Sequence, residues 1–89
     1  MNGKIEKNKY NQMVRCEALY RRIRDLRVDH DLRQVDVAEF LGCHEGVYRR
    51  YENGLREIPI WALVKLAKWY DVSLDYILGI SDNKRKYGE

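Results

Sequence analysis

The stretch Gln34-Val35-Asp36-Val37-Ala38-Glu39-Phe40-Leu41-Gly42-Cys43-His44-Glu45-Gly46-Val47-Tyr48-Arg49-Arg50-Tyr51-Glu52-Asn53-Gly54 decides the fold. Val37, Ala38 and Leu41 share one face of a helix over 34–41, about two turns long. Gly42, directly after it, suits a left-handed C-terminal cap. Cys43 and His44 complete a tight turn. A further helix over 45–53 then carries Tyr48 and Tyr51 on its inward side, and Asn53-Gly54 closes it with turn chemistry. The same spacing leaves Glu45, Gly46, Arg49 and Arg50 on the opposite, outward side.

Working outward, Leu19, Ile23 and Leu26 recur at helical spacing in a first helix running from Glu17 to near His30, and Asp31-Leu32-Arg33 breaks it. Downstream, the only proline, Pro59, fits the first turn of a fourth helix with an apolar stripe of Ile60, Leu63, Val64, Ala67 and Tyr70, ending at Asp71. Ser73 is a good N-cap for a fifth helix, whose buried side is Leu74, Ile77 and Leu78 and whose end is Gly79. No strand-like alternation competes, so the expected class is all-α, with five helices in one domain over residues 16–80. Residues 1–15 read as a basic, flexible arm, with a short extra helix as the alternative, and 81–89 as a polar, frayed tail.

Eighty-nine residues allow one domain, and no apolar run approaches the ~20 residues that span a bilayer. Without a signal-peptide pattern the expected location is the cytoplasm. The net charge of +3 comes entirely from the arm, where Lys4, Lys7, Lys9 and Arg15 face only Glu6. From residue 16 onward thirteen basic residues match thirteen acidic ones, so bulk basicity says nothing about the domain and charge placement must carry any argument for a polyanionic partner.

Two cysteines, Cys16 and Cys43, lack the spacing of a disulfide framework or a zinc site. Cys43-His44-Glu45 are consecutive and do not converge on one ion, so no metal is expected and Cys43 reads as packing. No nucleophile–base pair, paired carboxylates or phosphate-cradling glycine loop can be assembled, which argues against an enzyme and gives no cofactor or small-molecule ligand. Tyr48, Tyr51 and Tyr70 fall on inward faces and read as core. Trp61 and Trp69 lie off the main stripe of the fourth helix and are candidates for a dimer interface or a second packing layer. His30, at the end of the first helix, reads as a solvated or dipole-compensating residue rather than a catalytic base.

The string Leu32-Arg33-Gln34, Val37-Ala38-Glu39-Phe40-Leu41-Gly42, Tyr48-Arg49-Arg50-Tyr51-Glu52-Asn53-Gly54 and Pro59, followed by Val72-Ser73-Leu74-Asp75-Tyr76-Ile77-Leu78-Gly79, resembles the helix-turn-helix family of phage repressors and Cro proteins, the xenobiotic-response-element type. The resemblance covers residues 19–79. It implies a homodimeric repressor of bacterial or phage origin that binds double-stranded DNA and regulates transcription, with helix 45–53 in the major groove. An antitoxin-like or regulatory subunit that binds a partner protein is the alternative.

The resemblance also implies residue roles. Gln34 would anchor a phosphate with its side chain and backbone N–H, flanked by Arg33, with Asn53 and Arg56 as further phosphate contacts. Arg27 and Glu52 would form a partly buried structural ion pair. Base-reading positions fall mainly on Glu45, Gly46 and Arg50, with Arg49 beside them. Arginine can donate two hydrogen bonds to guanine, glutamate can accept from a cytosine amino group, and Gly46 permits close approach. Three features depart from the family pattern: Arg33 and His44 stand where an N-cap Ser or Thr is usual, and Glu57 where relatives are basic.

Overall fold

The computed structural model describes residues 17–84, so the basic arm over 1–15, Cys16 and the end of the tail over 85–89 lie outside the described residues. Five helices and no strand occur among the described residues: α1 (Glu17–Asp29), α2 (Gln34–Leu41), α3 (Glu45–Glu52), α4 (Ile60–Tyr70) and α5 (Leu74–Leu78). The class is all-α.

Each helix ends in the same way for the same reason. A residue with positive φ turns the chain after its last helical turn, and the next backbone N–H reaches a carbonyl five residues back. Asp31, Gly42, Gly54, Asp71 and Gly79 are those residues, with Leu32 N–H bonding Arg27 O, Cys43 N–H bonding Ala38 O and Val72 N–H bonding Ala67 O. At the N-terminal ends the solutions differ. Ser73 Oγ accepts from Tyr76 N–H at 2.9 Å, the side-chain cap its sequence position predicts. Arg33 and His44 offer no acceptor to their helices. Asp36, the third residue of α2, instead accepts from the Arg33 backbone N–H at 2.7 Å, so the carboxylate half of a capping box is present without the other half.

The core joins all five helices: Leu19, Ile23 and Leu26 of α1, Val37, Ala38 and Leu41 of α2, Tyr48 and Tyr51 of α3, and Ile77 of α5 are all buried. The stripe of α4 is rotated from the one read above. Ala62, Leu63, Leu66, Ala67 and Tyr70 face inward, whereas Ile60 is 74% exposed. The segment Ile-Trp-Ala-Leu-Val-Lys-Leu-Ala-Lys-Trp-Tyr is apolar on nearly every side, so two helical phases fit it equally and packing against the other helices selects one. Trp69 forms a second layer, its ring stacked on Phe40 with centroids 3.9 Å apart, while Trp61 is 52% exposed.

The first residues of the tail are not frayed. Arg22 of α1 donates to Tyr76 O at 2.6 Å, to Ser81 O at 2.7 Å and to Asp82 Oδ1 at 2.8 Å, and its guanidinium lies over the Tyr76 ring. Residues 81–84 turn back to α5, where Ser73 N–H bonds Lys84 O.

Candidate nucleic-acid interface

α2 and α3 meet through the turn at Gly42-Cys43-His44, and α3 is held from its inner side. Tyr48 is fully buried, and its hydroxyl donates to Glu52 Oε2 at 2.6 Å. Glu52 is the single buried charged residue among the described residues, and it accepts four hydrogen bonds. Arg27 Nε and Nη2 approach from α1 at 2.5 and 3.2 Å, Gln34 Nε2 from α2 at 3.1 Å, and Tyr48 from within α3. Arg27 Nη1 also donates to Leu32 O at 2.9 Å, tying the loop between α1 and α2 to the same cluster. A buried charge of this kind is tolerated because its acceptor capacity is filled.

The electrostatics follow from these bonds. Burial by itself would raise the Glu52 carboxyl, but hydrogen bonds from Arg27, Tyr48 and Gln34 outweigh it and hold the group below the usual glutamate range. Burial, with Glu52 beside it, pushes the Tyr48 hydroxyl far up, so it remains a donor. Burial likewise raises the Cys43 thiol, which packs half-buried against the core as a neutral group. No group of metal-ligating side chains converges among the described residues.

The outward side of α3 presents Glu45, Gly46, Arg49 and Arg50. A Cβ added at Gly46 would meet open space. The Arg50 side chain is exposed and makes no hydrogen bond or ion pair among the described residues. Arg49 differs: its Nη2 pairs with Glu45 Oε2 at 3.1 Å and its Nε donates to Gln34 Oε1 at 3.4 Å. Gln34 therefore links the buried Glu52 to the surface Arg49, and its amide is engaged on both sides. Arg33 lies exposed at the start of α2 and pairs with Asp36 at 2.8 Å. That contact and the Arg33 backbone N–H hold the Asp36 carboxyl at about 2.

Beyond α3, Asn53 caps the helix, and the backbone N–H groups of Leu55 and Arg56 bond back to Arg50 O, which keeps Arg56 next to the outward face. His30 Nδ1 lies 2.8 Å from Leu26 O, where a carbonyl requires the ring to donate. The sequence reading missed three participants: Tyr48 as a donor to Glu52, Asp36 as the partner of Arg33, and Arg22 as the anchor of residues 81–84. The second carried a local signal, because an acidic residue three positions into a helix reaches back to the residue before it. The other two join residues far apart in the chain or conceal a hydroxyl's role behind an apolar one.

Comparison with known proteins agrees with this architecture. A family model described as helix-turn-helix matches residues 23–77, more than half of the chain. The uncharacterized HTH-type transcriptional regulator YobD of Bacillus subtilis (strain 168) is 44% identical over 62 residues, covering 70% of this chain and 55% of that protein. The cryptic phage CTXphi transcriptional repressor RstR of Vibrio cholerae is 38% identical over 61 residues, covering 68% of this chain and 55% of the repressor. The chain thus spans about half the length of the curated relatives it matches. No solved structure matches it at a significant level. The family match, the five helices and the α2–turn–α3 geometry together place this chain in the helix-turn-helix family.

Proposed function

We propose that this protein is a sequence-specific binder of double-stranded DNA that regulates transcription, as a repressor, and acts by binding alone. The observation that carries the reading is the two-sidedness of α3: Tyr48, Tyr51 and Glu52 lock it inward, while Glu45, Gly46, Arg49 and Arg50 face solvent with the Arg50 guanidinium unpaired. A short helix held in this way fits the major groove, where a bidentate arginine–guanine contact discriminates by about 1–3 kcal/mol. The names of the relatives, one an uncharacterized HTH-type transcriptional regulator and one a phage transcriptional repressor, support the same reading.

In this mechanism α3 enters the groove and Arg33, Gln34, Asn53 and Arg56 clamp the phosphates. Gln34 and Arg33 would exchange present partners for phosphate oxygens, and the first-turn N–H groups of α2 would add their dipole. The Arg27–Glu52 pair holds α1 and α3 in register beneath them. One recognition helix covers a few base pairs, so useful specificity calls for a homodimer on a palindrome with half-sites one helical turn, ~34 Å, apart. Cytoplasmic location and added non-specific affinity from the basic arm complete the proposal.

A selection on randomised duplex DNA, run with the full chain and with Arg50→Ala, tests it. Enrichment of a defined site that loses its preference at one base pair in the variant supports the proposal. No enrichment by the unsubstituted protein overturns it and turns attention to a protein partner.

A further inference from the structure

α4 carries apolar residues beyond those the core uses. Ala62, Leu63, Leu66, Ala67 and Tyr70 are buried, and the outward side of the helix holds Trp61, 52% exposed, and Trp69, 38% exposed, with Lys65 and Lys68 between them. Trp61, Lys65 and Trp69 follow one another at steps of four, which aligns them in a stripe along the helix. The exposed Ile60 and the half-buried Val64 flank it. Single exposed apolar residues are ordinary on a protein surface, but two tryptophans on one side of one helix mark a surface built for contact.

One end of the stripe is already ordered. The Trp69 ring is stacked on Phe40 of α2, with centroids 3.9 Å apart, and lies beside the Tyr70 ring at 5.4 Å. Lys65 Nζ donates to Phe40 O at 3.1 Å and stands 4.9 Å from the centre of the Phe40 ring, which holds the lysine stem against the aromatic pair. A surface ordered in this way before contact loses little side-chain freedom on docking.

Charge selects the occupant. α4 holds no acidic residue, and Glu57 and Asp71, the nearest in sequence, lie outside its two ends. Lys68 makes no hydrogen bond or ion pair among the described residues. Two copies of the stripe laid face to face would bring the lysines of both together with no carboxylate between them, which disfavours a second copy of this chain. The stretches outside the described residues carry Lys4, Lys7, Lys9 and Arg15 against Glu6, and Arg85 and Lys86 against Glu89, so like charge disfavours them too. Single-stranded nucleic acid needs free aromatic faces along a basic track, and Phe40 already covers one face of Trp69.

We infer that the side of α4 bearing Trp61, Lys65, Lys68 and Trp69 is a docking surface for an acidic amphipathic helix of another protein. Apolar residues a turn or two apart on that helix cover the tryptophans, and Asp or Glu beside them pair with the two lysines. None of the residues given to DNA above takes part. The inference therefore goes beyond the DNA-binding reading and stands or falls separately from it.

Trp61 and Trp69 are the only tryptophans of the chain, so intrinsic fluorescence reads the site directly. The probes are tryptophan-free synthetic helical peptides of about 15 residues. The first carries leucines along one face with glutamates beside them, the second has lysine at every glutamate position, and the last is a scrambled form of the first. The full chain should bind the acidic amphipathic peptide with a blue shift of its emission, and the others at least about tenfold more weakly. Trp61→Ala, which leaves Trp69 as the reporter, should weaken binding of the acidic peptide about tenfold. Lys65→Glu/Lys68→Glu should invert the preference in favour of the lysine peptide. Lys68→Glu, with no internal bond to lose, should move the preference in the same direction, and unaltered thermal melting of these variants shows that the fold persists.

Absence of binding by the acidic peptide, equal affinity for the acidic and lysine peptides, or full affinity in Trp61→Ala overturns the inference. So does a dimer that sedimentation detects in the protein alone and that Trp61→Ala dissociates, because the face then belongs to a second copy. A stronger fluorescence response to oligothymidylate than to the acidic peptide also overturns it and assigns the face to nucleic acid.

Discussion

Arg49 Nη2 stands 3.1 Å from the Oε2 of Glu45, one turn earlier on α3, and the same guanidinium reaches Gln34 Oε1 at 3.4 Å. Two residues that each have the chemistry to read a base are therefore paired with each other in the free protein. The consequence is a chain of polar contacts from Glu45 through Arg49 and Gln34 to the buried Glu52 and Arg27. Arg49 screens the Glu45 carboxylate and fixes the direction in which it points. Arg50, with no such partner, is available to a guanine without first giving up a contact.

Arg49→Ala should thus act on recognition and hardly on stability. An exposed i,i+4 pair contributes about 0.3–0.5 kcal/mol, so thermal melting should shift little. Site selection with the variant should show weaker binding and an altered preference at the base pair that faces Glu45, while the preference assigned to Arg50 persists. A variant with wild-type preference at every position would remove Arg49 from the recognition account.

Glu52→Gln should be costly. It leaves the largely buried Arg27 without its counter-charge, and breaking a buried pair in this way costs about 3–5 kcal/mol. The folded-state Glu52 carboxyl lies below its ordinary value. Its contribution is therefore complete above the ordinary glutamate range and disappears as pH falls through the lower folded value. Urea unfolding followed from pH 7 down to pH 3 should show a steep loss for the unsubstituted protein and a shallower one for Glu52→Gln.

Arg33→Ser should raise stability and lower affinity. Serine can accept from the free N–H groups of the first turn of α2 and complete the box of which Asp36 already supplies one half, a gain of about 1 kcal/mol. Removing the guanidinium also lets the Asp36 carboxyl rise from about 2 towards the ordinary range, which an NMR titration reads directly. Asp36 favours the folded state above the ordinary aspartate range, and that contribution fades as pH drops towards about 2. An unchanged melting temperature would show that the cap is not the limiting feature of this helix.

Gly46→Ala separates folding from binding. The added methyl meets nothing in the free protein, and alanine is favoured over glycine in a helix by about 0.5–1 kcal/mol, so melting should rise. If the DNA approaches the backbone at this position, affinity should fall in the same variant. Higher stability with full affinity would show that Gly46 does not face the groove floor.

Gly79→Ala should be the more damaging glycine substitution. The residue has φ +83°, and its Cβ would lie 2.5 Å from the Ala18 Cβ on α1. Backbone strain of about 1–2 kcal/mol adds to an overpacking cost of about 1–3 kcal/mol, so chemical denaturation should show a loss of roughly 2–5 kcal/mol. Ala18→Gly in the same chain should recover the overpacking share and leave the backbone share.

The sequence by itself determined the number, order and type of the helices among the described residues, the turn at Gly42, and the side of α3 that faces outward. These depend on periodicity and on capping residues within a few positions of each other, which are properties of short segments. Tertiary structure alone decided which of two apolar faces α4 buries, because Ile60 and Leu66 are equally hydrophobic and only the shape of the other helices distinguishes them. It decided too that Arg22 pins residues 81–84, that Ala18 requires a glycine at position 79, and that Glu52 gathers donors from α1, α2 and α3. Each of these joins residues distant in the chain, and such a contact leaves no local periodicity from which it could have been read.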